Sequence, residues 1–444
     1  MSDLVAARSQ MAMSLAFHIV FAVVGMGMPL LMALSEWRWI RSGQPVDLLL
    51  AKRWAKGTAV FFAVGAVSGT VLSFELGLLW PKFMSWAGAI IGMPFSLEGF
   101  AFFAEAIFLG MYLYGWDRIS PRAHLTAGVL VAVSGAASGM FVVFANAWMN
   151  TPAGFVLQNG KPIEIHPAAA MFNPSAWPQS IHMLLAAYAA TGFVVAGIHA
   201  YALLCDQHNL FHRRALQLGL LVGGIGAVLQ PLSGDFLGKS VARHQPVKFA
   251  ATEGQFESEI RAPLRIGGWP DPEQRRTRYT IEIPGLLSFI AYGDTGALVR
   301  GLNEYPRDVW PPVVPVHVSF QLMVAIGFAM TCVALWAAWR QWRSPCIAGS
   351  RVFLWAVAAS APLGFIAIEA GWFVTELGRQ PWIIQGVMRT TDAVTPMPGL
   401  IVPFFAITLL YLALAAIVIL LLVRQVRESP GESGPQPRAG EVLR

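Results

Sequence analysis

Long apolar segments recur along almost the whole chain and limit its fold more than any other feature does. A helix needs about 20 predominantly apolar residues to cross the hydrocarbon core of a bilayer. About nine segments reach that length, near residues 13–35, 57–80, 95–115, 126–148, 181–205, 216–235, 314–339, 352–375 and 398–423. The sequence therefore predicts an all-α, polytopic membrane protein with about nine transmembrane helices.

The composition excludes a soluble domain. Hydrophobic residues make up 56% of the 444 positions and charged residues 13%, whereas a soluble domain carries about 25% charged residues. The net charge of +6 does not require a nucleic-acid partner, because excess Lys and Arg in a membrane protein mark the loops that stay in the cytoplasm. We therefore expect the lipid bilayer to surround the chain, and we expect no nucleic-acid partner.

The short connections between the apolar segments alternate between strongly basic and weakly basic. Because basic loops stay in the cytoplasm, the alternation predicts an N-terminus outside and a C-terminus in the cytoplasm. The basic connections hold Arg38, Arg41, Lys52 and Arg53, then Arg118 and Arg122, then Arg213 and Arg214, then Arg340, Arg343 and Arg351, and finally Arg424 and Arg427.

One long polar insertion and a polar tail stand apart from the apolar segments. The insertion, residues 236–312, falls outside the membrane by parity. The tail, residues 425–444, is rich in Gly, Pro, Ser and charge, a composition typical of disorder. We therefore expect one transmembrane domain over residues 1–424, including the outer loop, followed by a disordered cytoplasmic tail.

Several polar residues lie inside the predicted spans, where an ionisable group is costly and indicates function by default. By the predicted topology they all lie in the outer half of the bilayer. Imidazole and thioether ligands together are typical of a low-spin haem, and a haem that binds oxygen needs only one protein ligand. The pattern therefore indicates metal or haem ligation by some of His18, Glu98, Glu105, His182, Met323 and Glu376.

Structural explanations compete with this interpretation. A Met in a transmembrane helix usually only fills space in the core, so Met323 alone carries little weight. His199 and His317 fit hydrogen-bonded packing roles, and Arg379 near Glu376 would equally suit an interfacial ion pair. The residue types alone leave these alternatives open.

A series of motifs resembles subunit I of the cytochrome bd-type quinol oxidases, in the form with a short quinol loop and including the cyanide-insensitive branch. The motifs occur in the family's order and cover nearly the whole chain. They read FSLEGFAFFAEAIFLGMYLYGWDR (95–118), ANAWMNTPAG (145–154), WPQSIHMLLAAYAATGF (177–193), QPVKFAATEGQFE (245–257), FQLM (320–323) and GWFVTELGRQPW (371–382).

The resemblance implies ligands for three haems. His182 and Met323 match the axial pair of a low-spin haem b. His18 and Glu376 match ligands of two high-spin haems, one a haem b resembling b595 and the other haem d or a further haem b. Glu98 matches a carboxylate at the oxygen-binding haem, as ligand or proton donor.

The same resemblance implies residues for proton transfer, quinol oxidation and haem packing. Glu105 matches a residue on the proton path beside Glu98, and Asp117 would feed protons toward it. Lys248 and Glu253 match loop residues implicated in quinol oxidation, where they would bracket a quinol hydroxyl. The residues expected to line or hold the haem pocket are Trp372, Arg379, Asn146 and Trp148.

On this resemblance, the chain is expected to be the haem-containing subunit of a terminal oxidase in the bacterial cytoplasmic (inner) membrane. Such an enzyme oxidises quinol at the outer face and reduces O2 to water with protons from the cytoplasm, which generates a proton motive force. The resemblance also implies a second large membrane subunit, with a small single-span subunit as a further candidate partner.

One position departs from the family pattern. Many members have an Arg two residues before the Met ligand, whereas this chain has Gln321. We expect the loss of this cation to lower the potential of the low-spin haem or to leave a propionate to another partner.

Two other functions compete with the oxidase interpretation. A proton- or cation-coupled secondary transporter would also place carboxylates in the membrane, but it predicts sites near the midplane between internal repeats, and no repeat is visible. A haem-binding quinone reductase without oxygen chemistry would share His182 and Met323 but would not explain His18 and Glu376 as single ligands.

Overall fold

A computed structural model of the chain describes residues 2–343 and 347–428. The described residues form fourteen α-helices: α1 Asp3–Ser42, α2 Pro45–Leu79, α3 Pro81–Tyr114, α4 Pro121–Asn150, α5 Pro167–Met171, α6 Ala176–Cys205, α7 Leu210–His244, α8 Pro246–Glu253, α9 Leu286–Tyr292, α10 Val313–Arg343, α11 Arg351–Ser360, α12 Leu363–Leu377, α13 Thr390–Ala393 and α14 Ile401–Arg427.

Within the described residues, nine helical segments are long and apolar enough to cross a membrane. They are α1 to α4, α6, α7, α10, the consecutive pair α11 and α12, and α14. Each coincides with a segment predicted from hydropathy, which confirms the nine-helix membrane fold. The helices extend beyond the apolar segments because polar turns at their ends remain helical. Of the tail predicted to be disordered, residues 425–427 continue α14, and residues 429–444 lie outside the described residues.

The connections between the spans contain short two-stranded antiparallel sheets. Their pairs are β1 with β2, β3 with β8, β4 with β7, β5 with β6, and β9 with β10. The strands are β1 Val156–Gln158, β2 Lys161–Ile163, β3 Glu259–Ile260, β4 Leu264–Ile266, β5 Trp269–Asp271, β6 Arg276–Arg278, β7 Ile281–Ile283, β8 Leu298–Val299, β9 Trp382–Ile384 and β10 Met388–Arg389. Six of these strands, with α8, α9 and two short 3-10 turns, form the connection between α7 and α10.

The long connection begins later than the sequence pattern predicts. Helix α7 continues to His244, so the folded connection covers residues 245–312 rather than starting at 236. We call residues 245–312 the quinol loop from the resemblance described above, and the end of the bundle from which it emerges the loop end.

Helices α6 and α7 are packed backbone against backbone. A Cβ atom added at Gly192 would lie 2.3 Å from the amide nitrogen of Gly223, and one at Gly226 would lie 2.9 Å from that of Ala189. Small residues let membrane helices approach this closely. This contact explains why α7 is rich in glycine. Despite these glycines, α7 is a continuous helix of 35 residues.

The eighth span is divided into two helices. Helix α11 ends at Ser360 and α12 begins at Leu363, because Pro362 lacks the amide hydrogen that an uninterrupted helix would use. Helix α12 then carries Gly371, Trp372 and Glu376 toward the loop end.

Hydrogen bonds at the loop end join segments that are distant in sequence. The amide of Leu400 donates to Asp3 Oδ1 at 2.9 Å, the amide of Thr395 to the Leu79 carbonyl at 2.9 Å, and the amide of Gln385 to the Met149 carbonyl at 3.0 Å. The start of α1 and the ends of α2 and α4 therefore meet the segment that precedes α14.

Candidate functional site

Glu376, in the last turn of α12, is held by two polar side chains at the loop end. Arg379 Nη2 lies 2.6 Å from Glu376 Oε2, and Asn146 Nδ2 donates to Glu376 Oε1 at 2.6 Å. Arg379 is buried, whereas the Glu376 side chain is only half-buried, so this is a charge-assisted, partly desolvated pair. The structure thus adds Asn146 to the ion pair of Glu376 and Arg379 that the sequence analysis considered.

Arg379 has more donors than Glu376 uses. Its Nε and Nη1 atoms are buried and have no hydrogen-bond partner among the described residues. A buried, unpaired guanidinium donor is costly, and each such donor can give a charge-assisted hydrogen bond to an acidic oxygen. The geometry of Arg379 therefore fits an additional acidic group, such as a haem propionate.

A chain of side chains extends this network from Glu376 to the quinol loop. Asn150 Nδ2 donates to the Asn146 carbonyl at 3.0 Å, and Lys248 Nζ donates to Asn150 Oδ1 at 2.5 Å. Gln179 Nε2 donates to Asn146 Oδ1 at 2.7 Å. The sequence analysis missed Asn150, although its position four residues after Asn146 in a helix places both on one face.

The two loop residues Lys248 and Glu253 have different neighbours. They are five residues apart along α8, so their side chains point about 140° apart. Lys248 turns toward Asn150. The charged group that acts on Glu253 is Arg265. Burial lowers the pKa of Lys248 to about 7, with Arg379 adding to the decrease and Glu376 opposing it. Burial raises the pKa of Glu253 to about 8, and Arg265 offsets part of that rise.

The ring of His182 is oriented by a serine on α7. Ser233 Oγ donates its hydrogen to the Gln230 carbonyl at 2.9 Å, so it accepts from His182 Nδ1–H, 3.0 Å away. This leaves the lone pair on Nε2, where the Gln230 amide nitrogen now lies at 3.1 Å. Histidine ligands of metals typically donate the other ring N–H in this way.

His18 has the same arrangement on α1. Ser68 Oγ donates to the Val64 carbonyl at 2.9 Å and therefore accepts from His18 Nδ1–H, 2.9 Å away. A Cβ added at Gly69 would lie 3.0 Å from His18 Cε1, so α2 packs closely against the ring. Both histidines thus present an unprotonated Nε2, as an iron ligand requires.

Met323 points from α10 toward α12. A Cβ added at Gly371 would lie 3.1 Å from Met323 Sδ. Helices α7 and α12 each pack against both α6 and α10, which carry His182 and Met323. Helices α7 and α12 therefore connect the two helices that carry these residues.

The two tryptophans predicted to line the haem pocket lie in different places. Trp372 is half-buried and packs against the cluster formed by Ile19, Val23 and Ile368. Trp148 is 1% exposed, donates from Nε1 to the Ala153 carbonyl at 3.0 Å and packs near Trp86. It does not join the network of Asn146.

The acidic residues of α3 face α4. Ser138 Oγ donates to Glu98 Oε1 at 3.2 Å, and a Cβ added at Gly135 would lie 3.1 Å from Glu105 Oε1. Glu98 and Glu105 are seven residues apart, close to two helical turns, so they share a face. Asp117 is exposed, in the turn that follows α3.

Below Glu105 on the same face of α3 lies a buried polar cluster that the sequence analysis did not assign. His124 Nδ1 is 2.8 Å from Glu36 Oε1, and its Nε2 is 2.9 Å from the Tyr112 carbonyl. Tyr112 follows Glu105 by seven residues, and the residues of this cluster are at most 2% exposed. Sequence spacing alone could have placed Tyr112 on this face, but not His124 and Glu36.

The chain's side chains fit bound haem. Two imidazoles with unprotonated Nε2 atoms, a thioether, a carboxylate and an arginine with unpaired buried donors are the groups that haem iron and propionates bind. The site thus has the features of a haem-containing membrane redox protein.

Comparison with known proteins identifies the family. The family of cytochrome bd terminal oxidase subunit I matches residues 6–430. A Bacillus subtilis (strain 168) protein provisionally named cytochrome bd menaquinol oxidase subunit I is 37% identical, covering 97% of this chain and 98% of its own length. Cytochrome bd ubiquinol oxidase subunit 1 of the same organism is 31% identical, covering 96% and 94%. The structure of bd oxidase from Geobacillus thermodenitrificans matches with a TM-score of 0.91 and 40% identity, covering 97% of this chain and 99% of that chain.

The chain belongs to the cytochrome bd terminal oxidase subunit I family. The resemblance drawn from the motifs and the quinol oxidase function are therefore confirmed, and nothing in these relatives supports the transporter alternative. Membership implies haem cofactors and a subunit II partner, and the protein is a multi-pass membrane protein.

The contact between Gly371 and Met323 predicts a selective defect. We expect Gly371→Ala to displace the Met323 sulfur, because the new Cβ would lie 3.1 Å from it. Thioether ligation raises haem potential, so a haem that Met323 ligates, as the resemblance implies, should show a lower midpoint potential in redox titration of the purified complex. Gly327→Ala is the matched control on α10, since nothing lies within 4 Å of a Cβ there. Equal potentials in both variants would contradict this ligand assignment.

Proposed function

We propose that this chain oxidises quinol at the loop end and reduces oxygen to water within the same half of the helix bundle. The single observation that carries the proposal is the continuous network from Arg379 and Glu376 through Asn146 and Asn150 to Lys248. It joins a candidate iron ligand, a cation suited to a propionate and a lysine of the quinol loop.

The ligand assignment rests on the resemblance, and the oriented side chains support it. His182 and Met323 would hold a low-spin haem b, while His18 and Glu376 would hold the two high-spin haems, one a haem b and the other haem d or a further haem b. Bound haem iron supplies electron transfer from quinol and the position at which oxygen binds. Ser233 and Ser68 hold the two imidazoles in the required tautomer.

Glu253 is suited to take a proton from quinol. It is buried, its Oε2 atom has no hydrogen-bond partner among the described residues, and its pKa of about 8 lies near neutral pH. A general base works best when its pKa is close to the working pH. Lys248, with a pKa of about 7, can also change its protonation state in this range.

The carboxylates of α3 are suited to carry protons toward the oxygen site. Glu105 is 5% exposed and shares a helix face with Glu98, whose carboxylate accepts from Ser138. The alternation of basic connections places the far end of this face in the cytoplasm. Quinol protons released outside and oxygen protons taken from inside would generate a proton motive force across the bacterial cytoplasmic membrane.

The proposed partners include a small single-span subunit in addition to subunit II. The N-terminus would lie outside and the C-terminus in the cytoplasm, as the charge alternation predicts. Isolation of the intact complex from membranes, followed by mass spectrometry of its subunits, tests this composition.

Quinol oxidation should depend on pH through Glu253. Since burial raises the pKa of this carboxyl to about 8, the ionised base is scarce at low pH and becomes abundant as the pH rises through 8. We expect kcat/KM for quinol to increase by up to about tenfold per pH unit below that value. Glu253→Gln should remove this limb and lower the rate. A pH profile that is flat between 6 and 8 in the parent complex would count against Glu253 as the base.

Replacement of Glu105 tests the function as a whole. In liposomes that contain the intact complex, with quinol as the only reductant, we expect oxygen uptake and acidification of the quinol side together. Glu105→Gln should lower oxygen uptake by about tenfold or more, because a relay acid is removed, while the haem spectrum persists. Glu164→Gln, at an exposed position, is the matched control. Normal oxygen uptake and proton release in Glu105→Gln would refute the proposed route, and no quinol-dependent oxygen uptake in the parent would refute the function.

A further inference from the structure

Two polar residues on the first turns of α10 bind the backbone of the quinol loop. His317 Nδ1 lies 2.8 Å from the Thr252 carbonyl, and its Nε2 lies 3.1 Å from the Gly267 carbonyl. Gln321, one turn further along α10, accepts from the Gly267 amide at 3.0 Å and donates to the Arg265 carbonyl at 3.1 Å. Both backbone groups of Gly267 are therefore held by side chains of the helix that carries Met323.

These contacts surround Glu253. His317 binds the carbonyl of Thr252 on one side of it, and a Cβ added at Gly254 on the other side would lie 3.3 Å from the His317 ring. His317 is 0% exposed, and both ring nitrogens face carbonyl oxygens. A neutral imidazole has only one N–H donor, so the neutral ring donates to one of these two carbonyls.

Gln321 also binds the backbone of Arg265, the residue whose charge acts on Glu253. Its amide binds the carbonyl of Arg265, whose guanidinium pairs with Glu259 at 2.9 Å and with Glu282 at 3.0 Å. Arg265 is the charged group that lowers the pKa of Glu253 against the effect of burial. A shift of Arg265 would thus change the charge environment of the proposed base.

The identity of residue 321 matters for this arrangement. A glutamine amide both accepts and donates, whereas an arginine side chain has only donors. The Arg described above for many members of the family could not accept the Gly267 amide hydrogen. Residues 321 and 323 are also about 200° apart around α10, so the Gln321 amide and the Met323 sulfur leave the helix on opposite sides.

We propose that His317 and Gln321 form a clamp that positions the quinol loop on α10 and so sets the affinity of the enzyme for quinol. The clamp connects Glu253 and Arg265 to the helix of the low-spin haem ligand through hydrogen bonds alone. In this chain, residue 321 is a positioning residue for quinol oxidation. This inference rests on the proposed function, in which the loop binds quinol.

The test uses the purified complex with Gln321→Ala, and Gln321→Glu as an isosteric variant that keeps the acceptor for Gly267. Gln274→Ala is the matched control, because Gln274 is an exposed glutamine of the same loop. The structural measurement is hydrogen–deuterium exchange of residues 264–271, which contain the Gly267 amide. The functional measurement is oxygen uptake at increasing quinol concentration.

We expect Gln321→Ala to increase both the exchange rate of residues 264–271 and the KM for quinol by about tenfold, a factor that corresponds to about 1.4 kcal/mol. Gln321→Glu should retain slow Gly267 exchange, and Gln274→Ala should match the parent in both measurements. Reduction of the haems by dithionite should be unchanged in every variant.

Unchanged exchange in Gln321→Ala would overturn the clamp. Faster exchange with an unchanged KM would overturn its role in quinol affinity. If the parent complex oxidised no quinol, the proposed function would fail by itself, and the exchange measurement would still decide whether Gln321 holds the loop.

Discussion

A carboxylate inside an apolar helix bundle must be paired or protonated, because its ionised form loses the solvation of water. Glu376 meets this requirement through Arg379 and Asn146, and the rest of the loop end is arranged around that pair. Arg379 retains two unpaired buried donors, and Asn146 continues through Asn150 to Lys248. The electrostatic need of one carboxylate thus links the end of α12 to α4 and to the quinol loop.

The sequence was sufficient for the membrane fold because hydropathy reports directly on burial in lipid. The nine predicted spans are present, including the glycine-rich segment of α7, whose glycines permit backbone contact with α6. The span 352–375 was predicted as one helix, whereas Pro362 divides it. The start of the quinol loop was placed too early, because the polar last turns of α7 remain helical.

The candidate site was predicted less completely, because its residues are assembled from different helices. The motifs carried His182, Met323 and Glu376, and the resemblance implied His18, but no spacing rule shows that Ser68 and Ser233 face the two imidazoles. Lys248 and Glu253 were expected to bracket a quinol hydroxyl, but the sequence did not show that the Lys248 side chain turns toward Asn150 of α4. The role of Gln321 was inferred from a missing charge, whereas its amide hydrogen bonds join α10 to the loop.

The proposed function requires that oriented side chains of this chain hold haem iron at the loop end. The most direct measurement is the reduced-minus-oxidised optical spectrum of the purified complex before and after carbon monoxide, with extraction of the haems. We expect a low-spin haem b signal that carbon monoxide leaves unchanged and that His182→Ala abolishes, together with a carbon-monoxide-sensitive high-spin component. A colourless complex, or a low-spin signal that survives in His182→Ala, would contradict it.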